Sequence, residues 1–207
     1  MTLLRENRLL LGSFAIPFVI LMVSYFSRGV FPIGNRDVLT IDLYHQYAPF
    51  LAEMQARLRS LDGLFYSWSG GLGTNFYALL AYYVASPLNL LLVLFPAGLL
   101  TEAIFLIILV KVGLAGASFH YFLREVHREE SPVMMAIASS YALSSYVLSY
   151  SWNVMWLDGI ILLPLVILGL IWIIREQRYL LYPVALGLSL LSNYYIAFFI
   201  VLFTAVY

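Results

Sequence analysis

Several runs of apolar residues in this chain are long enough to cross a lipid bilayer, and they constrain the fold more than any other feature. A helix needs about 20 apolar residues to span the roughly 30 Å hydrocarbon core. Four strong spans meet this requirement, at residues 9–26, 99–123, 132–150 and 157–174. Hydrophobic residues make up 63% of the chain and charged residues 11%, against about 45–50% and about 25% in soluble domains. We therefore predict an all-α, polytopic transmembrane protein.

Two further apolar stretches are interrupted by polar residues. Residues 77–95 are broken at Ser86-Pro87 and Asn89, which favours a membrane-embedded or re-entrant segment over a continuous span. Residues 180–207 are broken at 192–195, which is compatible with one tilted helix or with two half-helices. The chain ends inside that apolar run, so we expect it to be the N-terminal part of a longer protein.

The basic residues predict the orientation of the chain. Lys and Arg in short loops favour the cytoplasmic side, and the clusters are Arg5 and Arg8, then Arg124, His127 and Arg128, then Arg175 and Arg178. A cytoplasmic N-terminus places all of them inside and makes residues 27–76 a long external loop. The formal net charge is zero, so we expect no nucleic-acid partner. We predict a multi-pass protein of the cell membrane.

The external loop contains an amphipathic segment at residues 42–60 that predicts a helix lying in the membrane interface. At helical spacing, one stripe of it carries Asp42, His45, Gln46 and Glu53. Asp42 could cap this helix, or it could serve as a catalytic carboxylate, and the residue pattern leaves both roles open. Asp37 is a competing carboxylate in the preceding loop, where an Asp most often shapes a turn.

Other polar residues stand out because of where they lie. Asp158 begins the span 157–174, where it could cap the helix or face protein or a polar cavity. Lys111 lies in the middle of the span 99–123, a costly position that makes it a functional candidate unless it snorkels or pairs elsewhere. The glycine-rich residues 70–73 lack a preceding strand, so we predict a flexible loop there rather than a nucleotide site. The histidines lack metal-ligand spacing, and we predict no metal site.

Five stretches of the sequence resemble the YfhO family of bacterial membrane proteins. They are residues 42–50, 66–76, 82–89, 153–159 and 191–195. The resemblance implies the architecture of GT-C glycosyltransferases, multi-span enzymes that transfer a sugar from a polyprenyl-phosphate carrier to an acceptor outside the membrane. Their catalytic carboxylate lies near the start of the first external loop. Asp42, in a match to the motif Asp-x-Tyr-x-Gln-Tyr, is therefore the first candidate for the general base, and Asp37 the second.

The resemblance also implies the substrates and the residues around them. The expected partners are a polyprenyl-phosphate sugar donor, a cell-wall polymer acceptor such as lipoteichoic acid, and the bilayer itself. No cofactor is indicated with certainty, and a requirement for a divalent cation is left open. The candidates for substrate binding are Tyr44, His45, Gln46, Tyr47, Asn75, Tyr82, Asn153, Asp158 and Asn193, and those for the lipid phosphate are Arg36, Arg57 and Arg59. The alternative functions are a flippase or transporter of lipid-linked sugar and a non-catalytic assembly partner.

Overall fold

A computed structural model describes residues 7–207, and these residues are mostly helical. In chain order the α-helices are α1 (Arg8–Ser27), α2 (Ala48–Ser60), α3 (Phe76–Leu79), α4 (Leu100–His127), α5 (Pro132–Ala142), α6 (Ser145–Tyr150), α7 (Leu157–Glu176), α8 (Leu181–Ser192) and α9 (Tyr194–Val206). Leu43–Tyr47 and Leu80–Val84 form π-helical turns, and Pro87–Leu94 and Ala97–Leu99 are 3-10 helices. The predicted all-α membrane fold is confirmed. Arg5, which contributed to the predicted orientation, lies outside the described residues.

Four helical segments within residues 7–207 are long and apolar enough to cross a membrane. They are Arg8–Ser27, Ala97–His127, Pro132–Tyr150 and Leu157–Glu176. The central one contains α4, which packs against α1, α5 and α7. Gly116 permits a close approach, because a Cβ atom there would collide with the carbonyl oxygen of Ser13 and the ring of Pro17 on α1. Helices α1, α5 and α7 are thus assembled around α4.

The two interrupted stretches both contain breaks in the structure. Phe76–Val84 and Pro87–Leu94 meet at an angle of 102°, which makes this pair a broken span or a re-entrant loop. The break falls before Pro87, whose ring disfavours helical backbone in the preceding residue. Near the end of the chain, α8 and α9 are two separate helices joined at Asn193, whose backbone is extended at φ −162° and ψ 103°. The structure thus has two half-helices there.

The loop between α1 and α4 contains two folded parts. Residues 42–60 begin with the π-helical turn, and α2 starts at Ala48, so that Pro49 occupies the first turn, where its missing N–H is not needed. After α2, strands β1 (Tyr66–Ser67) and β2 (Thr74–Asn75) form an antiparallel hairpin around the glycine-rich turn. We expected no strand before these glycines, and that expectation was wrong.

Candidate functional site

Asp42 stands at the start of the π-helical turn with its carboxylate half-buried. The structure gives it no capping hydrogen bond to a backbone N–H group. Its Oδ1 atom accepts a long hydrogen bond of 3.4 Å from Nε2 of Gln46, one turn later. Of the two roles that the sequence left open, capping therefore has no support in this geometry.

Tyr47 lies close to Asp42 and connects it to the membrane helices. The Tyr47 side chain is buried, and its hydroxyl donates a hydrogen bond of 2.9 Å to Oδ1 of Asn153. Burial, and then the negative charge of Asp42, raise the pKa of the Tyr47 phenol well above its ordinary value. The hydroxyl therefore stays protonated and keeps its role as a donor. This hydrogen bond joins the stretches 42–50 and 153–159.

Aromatic rings surround this connection. The ring of Tyr47 stacks on Trp152, with centroids 6.2 Å apart and an interplanar angle of 7°, and lies 5.4 Å from Tyr83. Tyr83 in turn meets Tyr82 edge to face at 4.6 Å, and Tyr82 meets Tyr194 at 5.5 Å. An aromatic chain thus runs from the π-helical turn beside Asp42 to the junction between α8 and α9.

Asn193 organises that junction. Its Oδ1 atom accepts a hydrogen bond of 2.8 Å from the N–H of Ile196, which caps α9. Its Nδ2 atom donates a hydrogen bond of 2.8 Å to the carbonyl oxygen of Tyr82. The Asn193 side chain is buried, and both of its polar ends have hydrogen-bond partners in the protein. The stretches 82–89 and 191–195 are thereby held together.

Asp158 and Lys111 form an ion pair inside the helix bundle. Nζ of Lys111 lies 2.6 Å from Oδ2 of Asp158 and donates a second hydrogen bond, of 2.9 Å, to the carbonyl oxygen of Val154. Oδ1 of Asp158 accepts a hydrogen bond of 2.8 Å from Ser86, at the break before Pro87. Asp158 therefore faces protein, which is one of the two roles that the sequence left open. The Lys111 side chain is fully buried and therefore does not snorkel, and its partner lies within the described part of the chain.

Four of the five stretches that carry the family resemblance are therefore joined by hydrogen bonds between their own residues. A model of the family described as bacterial membrane protein YfhO matches residues 13–207. The chain belongs to the YfhO family. No curated protein and no solved structure matches this chain. The resemblance to this family that the sequence predicted is confirmed over almost the whole chain.

The other candidate residues of this YfhO-family chain take no part in the hydrogen bonds that join these stretches. Asp37 is exposed, and its Oδ1 atom accepts a hydrogen bond of 2.9 Å from the N–H of Leu39, so it shapes a local turn. Asn75 is exposed and caps α3 through Ala78. Tyr44 and His45 are exposed, with their rings edge to face at 5.0 Å. These last two side chains are accessible to a ligand.

The three candidate arginines differ in how far they are engaged. Arg57 pairs with Glu53 at 2.7 Å and lies over the ring of Phe76. Arg59 donates hydrogen bonds to the carbonyl oxygens of Val93 and Phe95. Both therefore hold the loop against the broken segment. Arg36 is exposed and makes one long hydrogen bond of 3.4 Å to a backbone carbonyl, so its guanidinium is the most available to an anion.

Lys111 was a functional candidate in the sequence, because it lies in the middle of a span, but it was not among the candidates for substrate binding. Nothing in the sequence identified Asp158 as its partner. Within residues 7–207, no three His, Asp or Glu side chains come close enough together to hold a metal ion. The connected residues supply two carboxylates, a lysine ammonium group, aromatic rings and amides.

Proposed function

We propose that this protein is a membrane glycosyltransferase of the GT-C type. It would move a sugar from a polyprenyl-phosphate carrier to a cell-envelope acceptor, such as lipoteichoic acid, on the outer face of the cytoplasmic membrane. The observation that carries the proposal is the environment of Asp42. Its carboxylate is half-buried, is not used as a helix cap, and lies beside a tyrosine that is fixed to the membrane helices by Asn153.

Asp42 is the proposed general base. The acceptor hydroxyl attacks the anomeric carbon of the donor sugar, a new C–O bond forms, and the bond between that carbon and the phosphate oxygen breaks. Asp42 takes the hydroxyl proton, and the polyprenyl phosphate leaves with the bonding electrons. Proton transfer to a positioned carboxylate typically contributes about 10²–10⁴-fold to the rate. The attack from the face opposite the leaving group, with inversion, is what the family resemblance implies.

The leaving phosphate needs positive charge rather than an acid. Arg36 is the best candidate among the three arginines, because Arg57 and Arg59 already serve the loop structure. The aromatic rings near Asp42 support the proposal as well, since sugar rings pack their C–H faces on aromatic side chains. Tyr44 is exposed next to Asp42, and the chain Tyr47–Tyr83–Tyr82 continues away from it.

The test is the Asp42→Asn substitution in the full-length protein. We expect loss of sugar from the cell-wall polymer while the protein remains in the membrane at normal abundance. Asp37→Asn is the matched control, because Asp37 is an exposed carboxylate of the same loop. Retained glycosylation in Asp42→Asn would contradict the proposed base. Loss in Asp37→Asn alone would move that role to Asp37.

A second candidate function is the transport of lipid-linked sugar across the membrane. The observation that favours it is the buried pair Lys111–Asp158, which contacts Ser86 at the break between two helical segments. Transporters often place buried charges and broken helices around a substrate site. This function predicts that the double variant Lys111→Met with Asp158→Leu, at normal membrane abundance, leaves lipid-linked sugar on the inner leaflet, whereas Asp42→Asn does not. The leaflet distribution of the donor in membrane vesicles distinguishes the two functions.

A further inference from the structure

The hairpin after α2 presents apolar side chains to its surroundings and carries no charge. Residues 63–101 contain no Asp, Glu, Lys, Arg or His. Within the hairpin, Phe65 is 73% exposed, Trp68 77% and Leu72 98%. Large apolar side chains that are exposed together, rather than singly, mark an interaction surface. We call residues 63–75 the uncharged hairpin.

The backbone of the uncharged hairpin fixes where these side chains point. Tyr66 pairs with Asn75 and Ser67 with Thr74. Between the strands, Gly71 and Gly73 have φ values of +60° and +107°, which only glycine adopts without strain. The N–H of Gly73 donates a hydrogen bond of 3.0 Å to the carbonyl oxygen of Gly70 and closes the turn. Leu72 therefore stands at the tip of an ordered structure.

Polar contacts attach the uncharged hairpin to α2. The Ser67 hydroxyl donates a hydrogen bond of 2.8 Å to Oε1 of Glu53, and Arg57 donates one to the carbonyl oxygen of Gly63. Burial alone would raise the pKa of the Glu53 carboxyl, but the hydrogen bonds from Arg57, Ser67 and Ser69 outweigh it and hold that pKa below its ordinary value of 4.5. Glu53 therefore stays ionised near neutral pH and keeps both partners.

We propose that the uncharged hairpin inserts its tip into the interfacial layer of the bilayer that the protein spans. Two observations favour lipid over a protein partner. The hairpin runs directly into the apolar pair Phe76–Val84 and Pro87–Leu94, which bends as a broken span or re-entrant loop does. Its exposed side chains also include Trp68 and Tyr66, the ring types that are enriched where membranes meet water.

The consequence is a fixed height for α2 above the membrane. Because Glu53 and Arg57 tie α2 to the hairpin, the depth of Leu72 in the bilayer sets the position of the polar stripe that begins at Asp42. The insertion requires neither anionic lipid nor low ionic strength, since the surface of the hairpin carries no charge. It differs in this respect from attachment by clusters of Lys and Arg, which salt weakens. The proposal is independent of the glycosyltransferase proposal.

A spin label at Leu72 measures the insertion directly. Residues 1–207 contain no cysteine, so Leu72→Cys places a label at the tip once any other cysteine of the full-length protein is replaced by serine. The labelled protein is reconstituted in phosphatidylcholine vesicles, and the accessibility of the label to oxygen and to a water-soluble nickel complex is measured. Spin-labelled lipids calibrate the depth. Asp62→Cys, beside the charged end of α2, is the matched aqueous control.

We expect the Leu72 label to favour oxygen over nickel, as labels in the interfacial layer do, and to keep that preference at high salt. The Asp62 label should favour nickel. A Leu72 label that is as accessible to nickel as the Asp62 label would overturn the proposal, because the tip would then lie in water. Protection of the Leu72 label from both reagents would also overturn it, because a protein surface would then cover the tip.

Discussion

The hydroxyl of Tyr47 lies 2.9 Å from Oδ1 of Asn153, and this buried hydrogen bond links the loop that carries Asp42 to the turn before α7. A loop residue and a turn at the end of the helix bundle, far apart in sequence, are thereby held together. The position of the Asp42 carboxylate relative to the bundle depends on this bond. Its loss is therefore expected to affect both stability and any activity of Asp42.

Tyr47→Phe removes the hydroxyl and keeps the ring. We expect the free energy of unfolding to fall by about 1–3 kcal/mol, because the buried amide of Asn153 loses its partner. Glycosylation should fall as well, since Asp42 is then less well positioned. Thermal unfolding in detergent and polymer glycosylation in cells measure the two effects. Tyr44→Phe is the control, because Tyr44 is exposed, and equal effects of both substitutions would contradict the role of Tyr47.

Lys111→Met leaves the Asp158 carboxylate buried without its partner. Removing one member of a buried ion pair typically costs about 3–5 kcal/mol, so we expect low membrane abundance and a lower unfolding temperature. The double variant Lys111→Met with Asp158→Leu removes both charges and should recover much of the loss. Membrane abundance and thermal unfolding measure both variants. If the double variant were less stable than the single variant, the unpaired Asp158 carboxylate would not be the cause of the instability of Lys111→Met.

Asn193→Ala removes both the cap of α9 and the hydrogen bond to Tyr82. Loss of a helix cap alone costs about 1 kcal/mol, and the unpaired Tyr82 carbonyl adds to it. Asn193→Ser is the informative comparison, because the serine hydroxyl can still cap α9 but is too short to reach Tyr82. Thermal unfolding should rank wild type, Asn193→Ser and Asn193→Ala in order of decreasing stability. Equal stability of all three would show that neither contact matters.

The contact between Glu53 and the uncharged hairpin should depend on pH. The folded protein holds the pKa of Glu53 below its ordinary value of 4.5, so the contact contributes stability above pH 4.5 and loses that contribution as the pH falls through the lowered value. A label at Leu72 should become more mobile in that acidic range. Glu53→Gln should abolish the pH dependence. In the protein that keeps Glu53, a label as immobile at low pH as at neutral pH would contradict the prediction.

Sequence reasoning identified the membrane class and the family because both are carried by long local patterns. Apolar runs locate helices wherever the bilayer is the solvent, and the motif around Asp42 is contiguous. Pairings between distant residues have no such pattern. The partnership of Lys111 with Asp158 and that of Tyr47 with Asn153 depend on how the helices pack, as does the capping role that Asp42 turned out not to have.

The hairpin shows the same limit at shorter range. Its strands have two residues each, which is too short for an alternating pattern to be recognised, and they are stabilised by contacts with α2. The choice between one helix and two at residues 180–207 was also undecidable from sequence. Asn193 at the break donates a hydrogen bond to Tyr82, more than one hundred residues earlier, and no local pattern predicts such a contact.

The turn before α7 is held from two directions by consecutive residues. Asn153 accepts a hydrogen bond from the Tyr47 hydroxyl of the loop. The carbonyl oxygen of Val154 accepts one from the Lys111 ammonium group inside the bundle. The turn therefore couples the loop to α4. If the turn moved with the loop, the hydrogen bond from Lys111 on α4 would break, so we expect opening of the loop and loosening of the bundle to occur in one concerted step.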